Sequence, residues 1–446
     1  MKDLADRRVL VLGLGVSGVS AANFCAERGA RVVAADERPA RALSGLSDLD
    51  ARVERVLGRA FPDPADFDLV VPSPGVPRER YADRARRAWG DVELLYRVLA
   101  VPILAVTGTN GKSTTTRLAE SMLRAAGLRT RAAGNVGAPA LGLVGEALDW
   151  AVLEVSSFQL ETTEEFRPRV AVILNLTPDH LDRHGSFEAY RDAKARILAR
   201  QEADDVAVLN FDDPAVRDLA DACRARVLPF RTAGALSHGA WLDGSCIVIR
   251  DGDGPAVRLP LDGLRLSGLH NRENAVAALA AVAAAGADPS KAILALDGFV
   301  GLPHRVEEVG RAGGALFVND SKATNPGAAV QSLRSFPASV IWIAGGRDKG
   351  LDFAELAAVA AARVRAAVLI GEATGKLEAA LAGRVDVLAA ASIEEAVQRA
   401  AGLARRGDVV LLSPACASQD QFRDFEERGD RFRVAVAALA RREGAP

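Results

Sequence analysis

Short β-branched runs alternate with longer helical patterns along almost the whole chain, and this alternation restricts the fold more than any other feature. The run Val9 to Leu12 passes through a glycine turn into an amphipathic segment ending at Glu27, and then into a second run, Arg31 to Asp36. The same succession restarts at Ile103 to Val106 and again near Ala315 to Val318. It predicts α/β units whose mostly parallel sheets are covered by helices on both faces. A chain of 446 residues exceeds one ordinary core. Three domains are therefore expected, at 1–98, 99–301 and 302–446, with the first and last Rossmann-like.

The central unit is read with further strands at Ala151 to Val155, Val170 to Leu174 and Val206 to Leu209, and with a helix around Phe187 to Glu202. The third is read with strands near Val340 to Ala344, Ala367 to Ile370, Val385 to Leu388 and Val409 to Leu412, as a doubly wound sheet. Ligands of such sheets lie beyond the carboxyl ends of the strands, so the loops there are where chemistry is sought.

The sharpest of those loops is Thr107-Gly108-Thr109-Asn110-Gly111-Lys112-Ser113-Thr114, between the strand Ile103 to Val106 and a helix. Its backbone amides and the helix N-terminus suit a phosphate, Lys112 can reach terminal phosphates, and Ser113 can offer a hydroxyl to Mg²⁺. The strict P-loop spacing is not met, because Val106 stands where that pattern has its first glycine. The middle domain is thus expected to be a P-loop-like ATPase domain. A second glycine turn, Gly13-Leu14-Gly15-Val16-Ser17-Gly18, with Asp36 closing the following strand, forms a dinucleotide-type fingerprint. By itself it also fits an NAD-binding oxidoreductase, although a separate ATP loop suits an enzyme that binds ATP and a nucleotide-linked substrate together.

Other strand ends carry hard ligands and cations. Glu154 ends a buried strand where a metal facing the phosphates would lie, its plainer role being to cap nearby amides. His180 sits in the polar loop Asn175 to Asp182. Lys194 reads from spacing alone as a helix-surface lysine. Asn271 is suited to capping the alanine-rich helix that follows Gly268, with adenine contact as the alternative, and Asn274 lies one turn on. The third unit adds His304-Arg305, Asn319 to Asn325, Gly345 to Lys349 and Ser413 to Ser418. Together these could grip a small dicarboxylate and a nucleoside triphosphate.

Composition narrows the classes. A hydrophobic share of 49% with 26% charged residues belongs to a globular protein, and a net charge of −2 offers no general attraction for nucleic acid. The four cysteines have no paired spacing, which argues against disulfides and zinc. No apolar stretch is long enough for a membrane span, and the charged start leaves no room for a signal peptide. A cytoplasmic location is expected. Only seven of the 56 basic residues are lysines, so a surviving lysine marks a place where a compact ammonium or a deprotonatable amine is needed.

Taken together, these segments resemble the Mur ligase family, and within it the branch that adds D-glutamate. The resemblance is carried by the Thr107 to Thr114 loop, Glu154, His180, the His270 to Asn274 helix start, His304-Arg305 and Asp320. The runs Leu153 to Glu161, Asp320 to Asn325 and Leu412 to Phe425 resemble that branch in particular. It implies ATP-dependent joining of D-glutamate to UDP-N-acetylmuramoyl-L-alanine through an acyl phosphate, with ATP and Mg²⁺ required. It implies an ATP site of Gly108, Thr109, Asn110, Gly111, Lys112, Ser113, Thr114, Asn271, Asn274, Arg305 and Asp320. Lys112, Glu154, His180 and Lys194 would be catalytic. Ser113, Glu154 and His180 would hold metal, as would Lys194 if carbamylated by CO₂, a role that displaces its surface reading. Leu14, Val16, Ser17, Asp36, Arg38 and Gly75 would bind the UDP portion, Asn135 the muramoyl part, and Thr324, Lys349, Ser418 and Phe425 the D-glutamate. A monomer without nucleic-acid or membrane partners is expected, with hinges near Leu99 and Gly301. The alternatives are a sister ligase or folylpolyglutamate-type enzyme, the oxidoreductase, and a nucleotide-sensing regulatory protein.

Overall fold

The computed structural model describes residues 4–43, 45–252, 254–261, 263, 268–299, 301–336 and 339–443. Three sheets follow one another along it. The first is four-stranded and wholly parallel, in the order β3 (Glu54–Leu57), β2 (Arg31–Asp36), β1 (Arg8–Leu12), β4 (Leu69–Pro72). The helix Val16–Glu27 connects β1 to β2. On one face Leu10, Leu12, Val70 and Val76 pack with Phe67 and Tyr81. The chain order reverses at β1, so the mouth of the sheet opens beside the Gly13 turn.

The second sheet has nine strands. Four are the expected α/β strands, β5 (Ile103–Thr107), β7 (Trp150–Glu154), β8 (Val170–Ile173) and β9 (Val206–Asn210), and β6 (Thr130–Gly134) is a further one. It continues through β10 (Arg226–Arg231), β11 (Gly239–Asp243), β12 (Cys246–Arg250) and β13 (Val257–Pro260), in the order β13-β12-β11-β10-β9-β8-β5-β7-β6. Pairing is parallel from β6 across to β11 and antiparallel for β11–β12 and β12–β13. β5 and β8 are buried at every position and β7 at every position but Trp150, which is why they read as unbroken apolar runs.

The third sheet runs β14 (Glu307–Ala312), β15 (Ala315–Asn319), β19 (Val409–Leu412), β16 (Val340–Gly345), β17 (Val364–Ile370), β18 (Asp386–Ala389). From β15 to β18 the pairing is parallel, as expected of a doubly wound sheet, and β14 is added at the edge antiparallel to β15. Helices flank a core with Trp342, Leu333 and Leu356 on one side and Phe317, Ile343 and Phe432 on the other.

The chain separates into two compact units. One holds residues 1–176, 188–263 and 273–297, and so both the first and second sheets; the other holds 177–187, 264–272 and 298–446. The expected hinge near Leu99 therefore lies inside a single unit. Across it the fully buried Glu93 carboxylate accepts the backbone N–H groups of Glu164 (2.9 Å), Glu165 (3.1 Å) and Phe166 (3.1 Å) and the Arg97 Nε (2.7 Å). Asp91, also buried, accepts from the Gln159 amide at 3.1 Å.

Candidate functional site

In the unit formed by residues 1–176, 188–263 and 273–297, two glycine turns stand at strand ends. In the first, a Cβ on Gly18 would lie 1.8 Å from the Gly13 carbonyl oxygen, so only glycine lets the helix Val16–Glu27 start so close to β1. Ser73 Oγ donates to that same carbonyl at 2.7 Å. Asp36, the last residue of β2, accepts the Leu14 N–H at 2.8 Å and both the backbone and the guanidinium of Arg38. Burial alone would raise its pKa, but the Arg38 pair and the two backbone donors prevail and hold the carboxyl below its usual range. Val16 is exposed, Ser17 half-buried and Gly75 exposed in the loop after β4. All six residues expected to hold a UDP group thus border the mouth of the first sheet or follow its strands.

In the second turn, Gly111 caps the helix Lys112–Ala125 at φ +83°, and a Cβ there would meet Asn274 Oδ1 at 2.3 Å. Asn274, from the helix Leu269–Ala284, is thereby pressed against the loop and accepts from Thr115 Oγ1 at 3.3 Å. Lys112 Nζ donates to the carbonyls of Gly108 (3.0 Å) and Thr109 (2.8 Å). Lys194 Nζ donates to Gly108 O at 2.8 Å and stands 4.8 Å from the Tyr190 ring centre. At 2% exposure it is a core residue, which corrects the surface reading from spacing. Glu154, also 2% exposed, accepts from the Asn135 amide at 2.7 Å. Within the glycine loop itself Thr109, Ser113 and Thr114 are buried and Asn110 is half-buried.

Two residues to which no role had been assigned shape this loop. Asn175 accepts the Asn110 N–H at 2.8 Å through its side chain and the Thr109 N–H at 2.8 Å through its carbonyl, and donates to Asn110 O at 3.2 Å. Tyr190 OH lies 3.0 Å from Thr109 Oγ1. Tyr190 is four residues before Lys194 on one helix, so their shared face was the available signal.

The remaining expected residues belong to the other unit. His180 adopts the left-handed conformation at φ +53°, unusual for a side chain of that size, and its N–H is held by Asp179 Oδ1 at 2.9 Å. Asp179 also accepts from Asn325 Nδ2 at 2.9 Å and lies 3.5 Å from Lys349 Nζ. Asn271 falls inside the first turn of Leu269–Ala284, so it does not cap that helix as expected. Asp320 is buried and accepts from Ser332 Oγ, from Ser413 Oγ at 3.3 Å and from the Val306 N–H at 3.2 Å. Burial raises its pKa to about 6 against the opposing effects of Ser332 and Arg305. Arg305 and Thr324 are half-buried, Ser418 is buried, and the Phe425 ring lies 3.6 Å from Lys322 Nζ.

Three family descriptions match this chain: "Mur ligase MurD-like, N-terminal domain" at residues 7–88, "Mur ligase middle domain" at 106–282 and "Mur ligase, glutamate ligase domain" at 304–416. The chain belongs to the Mur ligase family. Within it, the UDP-N-acetylmuramoylalanine--D-glutamate ligase of Geobacter metallireducens is 46% identical over 98% of each chain. That of Geotalea daltonii is 44% identical over 98% of this chain and 99% of the other. The MurF ligase of Thermotoga maritima, solved in complex with ADP, shares the fold with a TM-score of 0.63 at 18% identity, each chain being fully covered. The residues that match the "Mur ligase, glutamate ligase domain" description include every strand of the third sheet.

Among the described residues no three His, Cys, Asp or Glu side chains cluster as a metal site, and no helix is long and apolar enough to cross a membrane. The donors that would suit Mg²⁺ are therefore mixed. A buried carboxylate at Glu154 and a buried hydroxyl at Ser113 are the hard oxygen ligands that cation takes, with phosphate oxygens supplying others.

Proposed function

We propose that this Mur ligase joins D-glutamate to UDP-N-acetylmuramoyl-L-alanine at the expense of ATP, as a cytoplasmic monomer making peptidoglycan precursors. The observation that carries the reading is the convergence of Lys112 and Lys194 on one carbonyl of a glycine loop at the end of β5. A carboxylate is a poor electrophile, so forming an amide in water requires an acyl phosphate. The carboxylate oxygen of the UDP-linked acid attacks the terminal phosphorus of ATP, the acyl phosphate forms and ADP leaves. The D-glutamate amine then attacks the acyl carbon, loses a proton, and the tetrahedral anion collapses with release of phosphate.

In this scheme Lys112 steadies charge on the transferred phosphoryl group, and the Gly108 to Thr114 backbone cradles the rest of the triphosphate. Mg²⁺ would be held by Ser113 and Glu154, with His180 at a second ion, and would supply charge neutralisation at the phosphates. Carbamylation of Lys194 would convert its ammonium into an anionic oxygen ligand. Asn271, Asn274, Arg305 and Asp320 complete the ATP site. Leu14, Val16, Ser17, Asp36, Arg38 and Gly75 hold the UDP group, Asn135 the muramoyl part, and Thr324, Lys349, Ser418 and Phe425 the D-glutamate. The corresponding domains are 1–98, 99–301 and 302–446. Positioning three substrates supplies much of the rate, since effective molarities of roughly 10⁵ M or more are available from alignment.

The test is phosphate release from ATP, Mg²⁺ and UDP-N-acetylmuramoyl-L-alanine with D-glutamate, L-glutamate and other amino acids in turn. Mass spectrometry identifies the product. A preference for another amino acid would move the chain to a sister activity, and absence of any new amide would refute the reading.

A further inference from the structure

Three loops of the third sheet that carry the expected D-glutamate residues are tied together by one side chain that the reaction scheme does not use. Arg428 lies near the start of the helix Phe425–Glu443 and is fully buried. Its Nε donates to Ser321 Oγ at 3.0 Å and its Nη2 to Ser321 O at 2.8 Å. Its Nη1 reaches the carbonyls of Cys416 (3.2 Å), Ala417 (3.3 Å) and, at the limit, Gly345 (3.5 Å). Ser321 Oγ in turn donates to Phe425 O at 2.7 Å, closing a ring between the helix start and the loop after β15.

These acceptors lie at the end of β16 and in the loops that follow β15 and β19, the three strands being neighbours in the sheet. Thr324 lies three residues beyond Ser321, Lys349 four beyond Gly345, and Ser418 directly after Ala417. Among the described residues no carboxylate forms an ion pair with Arg428. Burial pushes its pKa down to about 10, so it stays charged at neutral pH. A buried guanidinium without a carboxylate is costly to fold around, and a neutral donor would serve if only packing were needed. An arginine can bridge three loops because its rigid fork carries five donors; lysine offers a single ammonium.

We propose that Arg428 is a positioning residue for the amino-acid acceptor: its fork sets the spacing of the Ser321, Gly345 and Cys416–Ala417 loop ends, and its charge favours a dicarboxylate there. The proposal rests on the reading of Thr324, Lys349 and Ser418 as D-glutamate residues.

Kinetics with each substrate varied in turn, on Arg428→Lys and Ser321→Ala, test it. The KM for D-glutamate should rise roughly 10- to 100-fold in Arg428→Lys and by a smaller factor in Ser321→Ala. The KM values for ATP and for the UDP-linked acid should stay within about twofold, and kcat should fall less than KM rises. An unchanged D-glutamate KM in the variants that fold, or an equal rise in all three KM values, overturns the proposal. So does failure of both variants to fold, which would make Arg428 a stability residue. Lys349→Ala and Ser418→Ala are measured alongside. If they leave the D-glutamate KM unchanged, the reading of the acceptor site is what fails; if they raise it while Arg428→Lys does not, only the present inference fails.

Discussion

Lys194 Nζ donates to the Gly108 carbonyl at 2.8 Å, joining a helix to a phosphate-type loop 86 residues earlier in the chain. The resemblance to the Mur ligases implies that this lysine is carbamylated, and that is the outcome expected here. Supplying ¹³C-bicarbonate should produce a carbamate resonance that is absent in Lys194→Arg, and that substitution should lower kcat by on the order of 100-fold. An identical spectrum in both proteins would refute the modification. Full activity in Lys194→Arg would remove the residue from the metal site.

Lys112 lies at the helix start with its ammonium turned onto the carbonyls of Gly108 and Thr109, so it fixes the loop and places a positive charge directly on it. Lys112→Ala should cut ATP-dependent phosphate release by about 100- to 1,000-fold, the usual loss when one donor to developing charge is removed. Calorimetric affinity for UDP-N-acetylmuramoyl-L-alanine should be unchanged, because the first glycine turn lies on another sheet. Turnover retained in the variant would show that the loop does not bind the reacting phosphates.

The junction at Leu99 is expected to be stiff. Glu93 is fully buried and takes three backbone donors from residues 164–166 together with Arg97. Glu93→Gln would turn an amide N–H₂ toward groups that only donate, at a cost of about 3 kcal/mol or more. Limited proteolysis should then cleave between residues 97 and 102, where the parent chain resists. Equal resistance of the two proteins would mean that the contact does not hold the first two sheets together.

Both glycine turns were legible in the sequence because they depend on local backbone geometry, as at Gly111, where φ is positive. The β11–β12 hairpin was overlooked although Gly244-Ser245 supplies a two-residue turn between Asp243 and Cys246. β14 was not legible: Glu307–Ala312 is polar, sits at an edge and carries an irregularity between Glu308 and Gly310. The burial of Lys194 and Arg428 was hidden for a different reason. Each is enclosed by groups distant in sequence, and in an arginine-rich chain residue type alone did not single out Arg428.

Asp320 predicts a pH dependence whose sign follows from its burial. Its pKa is about 6 in the folded protein, against about 3.9 for an aspartate in an unfolded chain. Folding therefore takes up a proton between these values. The associated stability is complete below about pH 4 and is lost as pH rises through 6, a change of at most about 3 kcal/mol. Asp320→Asn removes the titration while keeping the bonds, since its oxygen can accept from the Val306 N–H and its amide can donate to the hydroxyls of Ser332 and Ser413. Unfolding of this sheet can be followed through Trp342, which is fully buried within it. The variant should show a flatter stability profile than the parent from pH 4 to 7, with the gap between them closing toward acid. Parallel profiles would place the proton elsewhere and leave the buried carboxyl of Asp320 ionised throughout.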